Sequence, residues 1–433
     1  MKKSKVLVAL VLALALSLGG IVAALAADLP KSTGTADSPA EAAITKHLQL
    51  PKGTIVPTIN FTFSVTAVSV DEVPAATAGN MPVIGTITIP FNAGKTGDTD
   101  TDNITHIYVQ SEDIFADAAG KWPHAGVYEY DVKETNSDIN TTHETMNCSA
   151  AEYRLRVYVL EAKDAAGNGT GKYYAATITA ERTQTDAGDP VPPGNKVDPT
   201  PDGPDGDGYS GMIFTNTYVK TNGTDTPDNP DPTKPAQATL SVSKAVKGEF
   251  GSTSVYFSFA LTVYNPAFTD APALDPALPG SYKAYVVDAS GIATSTENGA
   301  DAGKNYIEFA DGAQNTFKLK DGQRLVFVNT PVGTRYDVAE DGTPAYQASL
   351  LITCNNVAED DAIDGSTLGA GVEAEDRFVG EAANKADFTN TRDDVTPTGL
   401  NLNDLPFIGM IILALGAAAA FIAFKARKRK SYN

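Results

Sequence analysis

Phe214-Thr215-Asn216-Thr217 returns once in the chain, as Phe388-Thr389-Asn390-Thr391. Side chains of an extended strand alternate between its two faces, so Phe214, Asn216 and Tyr218 share one face, while Ile213, Thr215 and Thr217 share the other. Asn216 therefore stands among aromatic neighbours, and Phe388 and Asn390 repeat the placement. A carboxamide set twice on the apolar face of a closing strand calls for a partner on that face, because an unpaired buried polar group is costly.

Working outward, the runs Asn60 to Val65, Tyr153 to Val159, Lys172 to Ala180 and Val255 to Val263 are short, alternating and rich in β-branched or aromatic residues. They read as strands, with no amphipathic helix between them. Pro, Gly and Asp concentrate in 221–236, which lacks hydrophobic periodicity and reads as a linker. The pattern predicts an all-β chain: two tandem immunoglobulin-like antiparallel β-sandwich domains, 28–220 and 237–393. The second copies the order of the first. Ile44-Thr45-Lys46 corresponds to Leu240 to Lys244, Phe61 to Phe63 corresponds to Phe257 to Phe259, and Gly126 to Glu134 corresponds to Gly333 to Glu340.

The alternation that picked out Asn216 also picks out a lysine and a glutamate. Leu240, Val242, Lys244 and Val246 share a face, as do Ile44, Lys46 and Leu48 in the first copy. Tyr128, Tyr130, Val132 and Glu134 line up, and Tyr336, Val338 and Glu340 repeat them. Each lysine could form a buried ion pair with its glutamate, or snorkel to a domain edge. The joint repetition of all three residues favours a covalent alternative. Burial lowers a lysine pKa and frees a nucleophilic amine, and it raises a glutamate pKa. The protonated glutamate would then polarise the asparagine carbonyl and shuttle protons as ammonia leaves, making a Lys-Asn isopeptide bond once per molecule.

The two ends have their own logic. Lys2, Lys3 and Lys5, an apolar run from Val6 and Ala24-Leu25-Ala26 make 1–27 a signal peptide, so the protein is expected to be exported. Near the other end, 405–424 is apolar and uncharged over the length of a membrane span, and a basic tail from Lys425 to Lys430 follows. Val395-Thr396-Pro397-Thr398-Gly399 precedes it, and this order in 394–433 resembles the cell-wall sorting signal of Gram-positive surface proteins. The resemblance implies sortase cleavage between Thr398 and Gly399, although Val395-Thr396 stands where the common form has Leu-Pro. Of 33 basic and 53 acidic residues, eight basic and one acidic leave with the two ends, so 25 face 52 in the mature chain. So acidic a surface argues against nucleic acid. The two cysteines, Cys148 and Cys354, fall in different halves and read as free thiols.

Beyond its sorting signal, the chain resembles the major pilins of Gram-positive bacteria that carry streptococcal-type isopeptide linkage domains. The most specific likeness is Phe317-Lys318-Leu319-Lys320-Asp321-Gly322-Gln323, then Pro331-Val332-Gly333, then the strand to Glu340. By position, the resemblance implies cross-links Lys46 to Asn216 and Lys244 to Asn390, with Glu134 and Glu340 catalytic. It further implies a structural pilin subunit with no cofactor and no turnover as an enzyme. Sortase would join it to copies of itself and to peptidoglycan at the cell wall, with tip or base pilins as further partners. Similar pilins carry a linking lysine in the Pro/Gly-rich loop before the closing strand, which here designates Lys196. The alternative is a monomeric wall-anchored adhesin or stalk built from the same domains.

Other candidates weigh less. Asp98, Asp100 and Asp102 only faintly resemble a calcium loop, because its glycine and distal glutamate are out of register. His47, His106, His124 and His143 show no metal-ligand spacing, and no nucleophile elbow or phosphate-cradling glycine loop appears. No metal site is expected.

Overall fold

A computed structural model describes residues 31–203, 208–221, 231–269, 271–359 and 361–393, together with scattered residues between 410 and 421. The signal peptide at 1–27 and the sorting motif Val395 to Gly399 lie outside the described residues. The expected membrane span at 405–424 lies largely outside them as well. Met410, Ile411 and 413–415 are helical, and among the described residues no helix is long and apolar enough to cross a membrane.

Strands dominate, and they form four sheets. In the first half, β1 (Thr45–Pro51), β2 (Ile59–Val70), β3 (Gly126–Glu134), β4 (Glu144–Asn147) and β5 (Ile213–Lys220) carry or flank the residues of interest. One sheet runs through Gly169–Gln184, Glu152–Lys163, β3 and β2, all antiparallel. The facing sheet runs through Ile104–Gln110, β1, β5 and β4. Phe61, Phe63, Tyr128, Tyr130, Tyr153 and Phe214 fill the space between them. Alternation explains the packing: β3 buries Tyr128, Tyr130, Val132 and Glu134 and turns Glu129, Asp131 and Lys133 outward.

The second half repeats the plan with β6 (Leu240–Lys247), β7 (Phe257–Tyr264), β8 (Arg335–Glu340), β9 (Gln347–Cys354) and β10 (Lys385–Thr391). One sheet has β6 between Arg324–Phe327 and β10, and β9 lies beyond β10. The other contains Asn315–Leu319, β7, β8 and Val372–Phe378. A separate core, with Phe257, Phe259, Phe317 and Phe388, lies between the two.

One feature departs from the antiparallel expectation: β1 pairs parallel with β5, and β6 with β10. Lys46 lies opposite Phe214 and Leu48 opposite Asn216, while Lys244 lies opposite Phe388 and Val246 opposite Asn390. Because the two strands run the same way, tension on the chain's two ends shears the pair along its length. Lysine and asparagine sit two residues apart in register on one face, within reach of a lysine side chain.

The two halves meet in a built junction. Lys220, which ends β5, pairs with Glu381 at 2.8 Å, both side chains nearly inaccessible to water. The Lys220 carbonyl accepts the Val332 N–H at 2.7 Å, and Glu381 also accepts the Ile55 N–H at 2.6 Å. Ile104, Val219 and Phe268 form a small apolar cluster beside them. Gly333, at φ 85, packs so closely on Pro51 that a Cβ there would lie 2.1 Å from the proline Cβ. Only glycine fits that approach.

Candidate isopeptide sites

Lys46, Glu134 and Asn216 converge between the sheets of the first half. β1 and β5 bring the lysine and the asparagine from one sheet, and β3 brings the glutamate from the other. The Lys46 ammonium lies 2.9 Å from Glu134 Oε2 and donates to the Phe214 carbonyl at 3.0 Å. Asn216 Nδ2 donates to Glu134 Oε1 at 2.9 Å. The Phe61 ring lies 4.6 Å from the ammonium, and neither Lys46 nor Asn216 is exposed at all.

Lys244, Glu340 and Asn390 converge in the same way in the second half. Lys244 Nζ stands 2.7 Å from Glu340 Oε2, and Asn390 Nδ2 donates to Glu340 Oε1 at 2.5 Å. The rings of Phe257 and Phe259 wall the amine.

Burial sets the electrostatics of both sites. It lowers the Lys46 pKa against the opposing pull of Glu134. It lowers the Lys244 pKa to about 8, again opposed by Glu340, and it raises the Glu340 pKa against the pull of Lys244. Both amines are thereby drawn towards the neutral form that nucleophilic attack requires, and Glu340 towards the neutral carboxyl that can donate a proton.

The carboxamide is oriented differently from the sequence expectation. In both sites the glutamate faces the asparagine nitrogen rather than its carbonyl. One carboxyl oxygen thus touches the lysine amine and the other the asparagine amide nitrogen. In the first site the Asn216 carbonyl instead accepts the main-chain N–H of Ser149 at 2.7 Å. That donor fixes which end of the carboxamide is oxygen. Asp186 supports the arrangement, because Oδ1 accepts from the Ser149 hydroxyl at 2.5 Å and from the Thr215 N–H at 2.8 Å. Neither Ser149 nor Asp186 was visible in the periodicity, since both lie outside the strands.

Lys196 is not in an open loop. It begins a two-residue strand, Lys196–Val197, paired with Gly169–Gln184 opposite Glu181, and it is half-buried. Cys148 and Cys354 are free thiols, which burial pushes up to about 12 and about 11. His47 and His106, which showed no spacing signal, face each other across β1 and Ile104–Gln110, with Nε2 and Nδ1 3.1 Å apart. They line a cleft of about 440 Å³ with Gln49, Arg182, Asp186 and Leu274. Asp100 does not open a cation loop: its carboxylate accepts from the Asp102 and Ile104 N–H groups and contacts His106. Among the described residues no cluster of His, Cys, Asp and Glu is arranged to hold a metal ion.

A pH dependence follows from Lys244. In an Asn390→Ala chain, which keeps the lysine but has no carboxamide to attack, the folded amine loses its proton near pH 8, whereas the unfolded one holds it to 10.5. Between those values the unfolded state binds more protons, so stability rises with pH, by on the order of 3 kcal/mol across the window. Urea titrations at pH 7.5 to 10.5 check this against a reference chain that also carries Lys244→Met and Glu340→Gln, which should lack the rise.

Fold and site together define an all-β protein of paired sandwiches, each with a buried Lys-Glu-Asn triad between its two sheets. Residues 238–392 match the family described as "Domain of unknown function (DUF7601)". The chain is 29% identical over 187 residues, 43% of its length, to a protein named Pilin from Streptococcus pyogenes serotype M1. Over that stretch it is similar to a pilin of a Gram-positive bacterium. It spans about half the length of that curated relative, 48%. Among solved structures, the major pilin from Streptococcus pyogenes is 17% identical, with 82% of this chain and 99% of that chain covered at a TM-score of 0.30. The T3.2 major pilin of the same species is also 17% identical, with 82% and 98% covered at a TM-score of 0.29.

Proposed function

We propose that the chain is a structural backbone pilin subunit of a Gram-positive cell wall, stabilised by autocatalytic bonds from Lys46 to Asn216 and from Lys244 to Asn390. The observation that carries the proposal is the double triad. Three polar side chains meet in each of two apolar cores, bridged by one carboxyl group at 2.9 and 2.9 Å in the first and at 2.7 and 2.5 Å in the second. In each, the lysine amine attacks the asparagine Cγ, the Cγ–Nδ2 bond breaks, and Glu134 or Glu340 carries a proton from the amine to the departing ammonia. The step is taken once, so the protein is not an enzyme with turnover.

In this reading 1–27 is a signal peptide, 28–220 and 237–393 are the isopeptide domains about a linker at 221–236, and 394–433 is a sorting signal. Sortase cuts between Thr398 and Gly399 and passes the acyl group to a lysine of the next subunit, for which Lys196 is the candidate. The last subunit is passed to peptidoglycan. Sequence similarity to a streptococcal pilin supports the polymer over the monomeric adhesin.

Wall extracts of cells producing the chain should show a ladder of covalent species that survives boiling in detergent, and Lys196→Ala should abolish it. A ladder that survives Lys196→Ala sinks the linker assignment alone. A single monomer band from unaltered cells contradicts the pilin reading.

A further inference from the structure

The two triads differ at the carbonyl that would be attacked. Asn216 Oδ1 accepts the Ser149 N–H at 2.7 Å. Asn390 Oδ1 is buried and, among the described residues, has no hydrogen-bond partner.

The difference has a topological cause. β4 ends at Asn147, opposite Thr217, so the chain leaves the ladder just before it would pass Asn216. The freed N–H groups turn to side chains: Cys148 donates to Asp138 at 2.8 Å, and Ser149 donates to Asn216. The corresponding strand of the second half, β9, runs on past the asparagine, with Ala348 opposite Asn390, Ser349 opposite Thr389 and Leu350 opposite Phe388. There the ladder continues, and no N–H is released towards the carboxamide.

When an amine adds to a carboxamide, negative charge develops on the carbonyl oxygen, and a preorganised donor aimed at that oxygen stabilises the transition state. We infer that the Ser149 main-chain N–H is an oxyanion donor for the first cross-link, and that the second forms more slowly for want of one. The inference rests on the isopeptide reading. The addition joins Nζ to Cγ and places charge on Oδ1 beside the Ser149 N–H. Collapse expels Nδ2 as ammonia, with the proton relayed through Glu134. Loss of one such donor in an enzyme slows its reaction by about 100- to 1,000-fold.

The test is a pulse of cell-free synthesis of the full chain, followed by timed digestion and mass spectrometry of the two linked peptide pairs. The pair containing Lys46 and Asn216 should appear before the pair containing Lys244 and Asn390. A second chain carries the α-hydroxy analogue of serine at position 149, which replaces the N–H by an ester oxygen and keeps the side chain. Its first link should form about 100- to 1,000-fold more slowly. Its second link should keep the unmodified rate, which also reports that the chain has folded. A first link that forms at the unmodified rate in the ester chain overturns the inference, as does a second link that keeps pace with the first in the unmodified chain. In either case the isopeptide reading stands. If neither link forms in the unmodified chain, that reading falls, and the inference falls with it.

Discussion

Asn390→Ala is expected to lower the melting temperature of the second half by about 10–20 °C while leaving its fold intact. The variant keeps the pair of Lys244 and Glu340 at 2.7 Å, so no buried charge is stranded and only the bond is lost. The proposed bond would close a loop of 390 − 244 = 146 residues. By chain-entropy reasoning it restrains the unfolded state by about 5 kcal/mol. For a domain of this size each kcal/mol moves the midpoint by about 2–4 °C. Glu340→Ala should also leave the link unformed and should be the less stable of the two, because it strands Lys244 in the core. Differential scanning calorimetry with mass spectrometry of the same samples checks both. Melting of Asn390→Ala together with the unaltered chain would contradict the expectation.

The second large effect is expected at the junction. Glu381→Ala leaves Lys220 without the carboxylate it meets at 2.8 Å in a nearly inaccessible site. Stranding a buried charge costs about 3–5 kcal/mol. Opening the junction, which returns the lysine to water, avoids that cost at the expense of the contact between the halves. The variant should therefore either melt earlier or show a longer maximum dimension by small-angle scattering. Replacing both partners, Lys220→Met with Glu381→Leu, should restore most of the loss, since no charge is then left alone. A Glu381→Ala chain with unchanged melting and unchanged scattering would show that the pair holds nothing together.

What the sequence made legible follows from one rule. Alternation in strands exposes a polar residue on an apolar face, and it does so twice for lysine, glutamate and asparagine. Fold class and triad membership come from that rule. The parallel pairing of β1 with β5 and of β6 with β10 does not, because alternation is the same whichever way a neighbour runs. Ser149 was beyond reach because its contribution is a main-chain N–H freed by the early end of β4, a matter of register rather than residue type. Lys196 read as loop because Pro193 and Gly194 precede it, yet two residues suffice to pair with the sheet edge. The facing of His47 and His106 needed the register of Gln49 opposite His106 and of His47 opposite Tyr108. The contacts of Lys220 with Glu381 and Val332 join the two halves, and no local pattern encodes them.

Covalent joining of the lysines of both triads to their asparagines is read out by the intact mass of the purified region from Asp28 to Thr398. The expected mass is lighter than the sequence by two ammonia molecules, with the deficit falling to one in Asn216→Ala or Asn390→Ala. A mass equal to that of the unaltered sequence would contradict it and would leave Lys46 and Lys244 as ion-paired core residues.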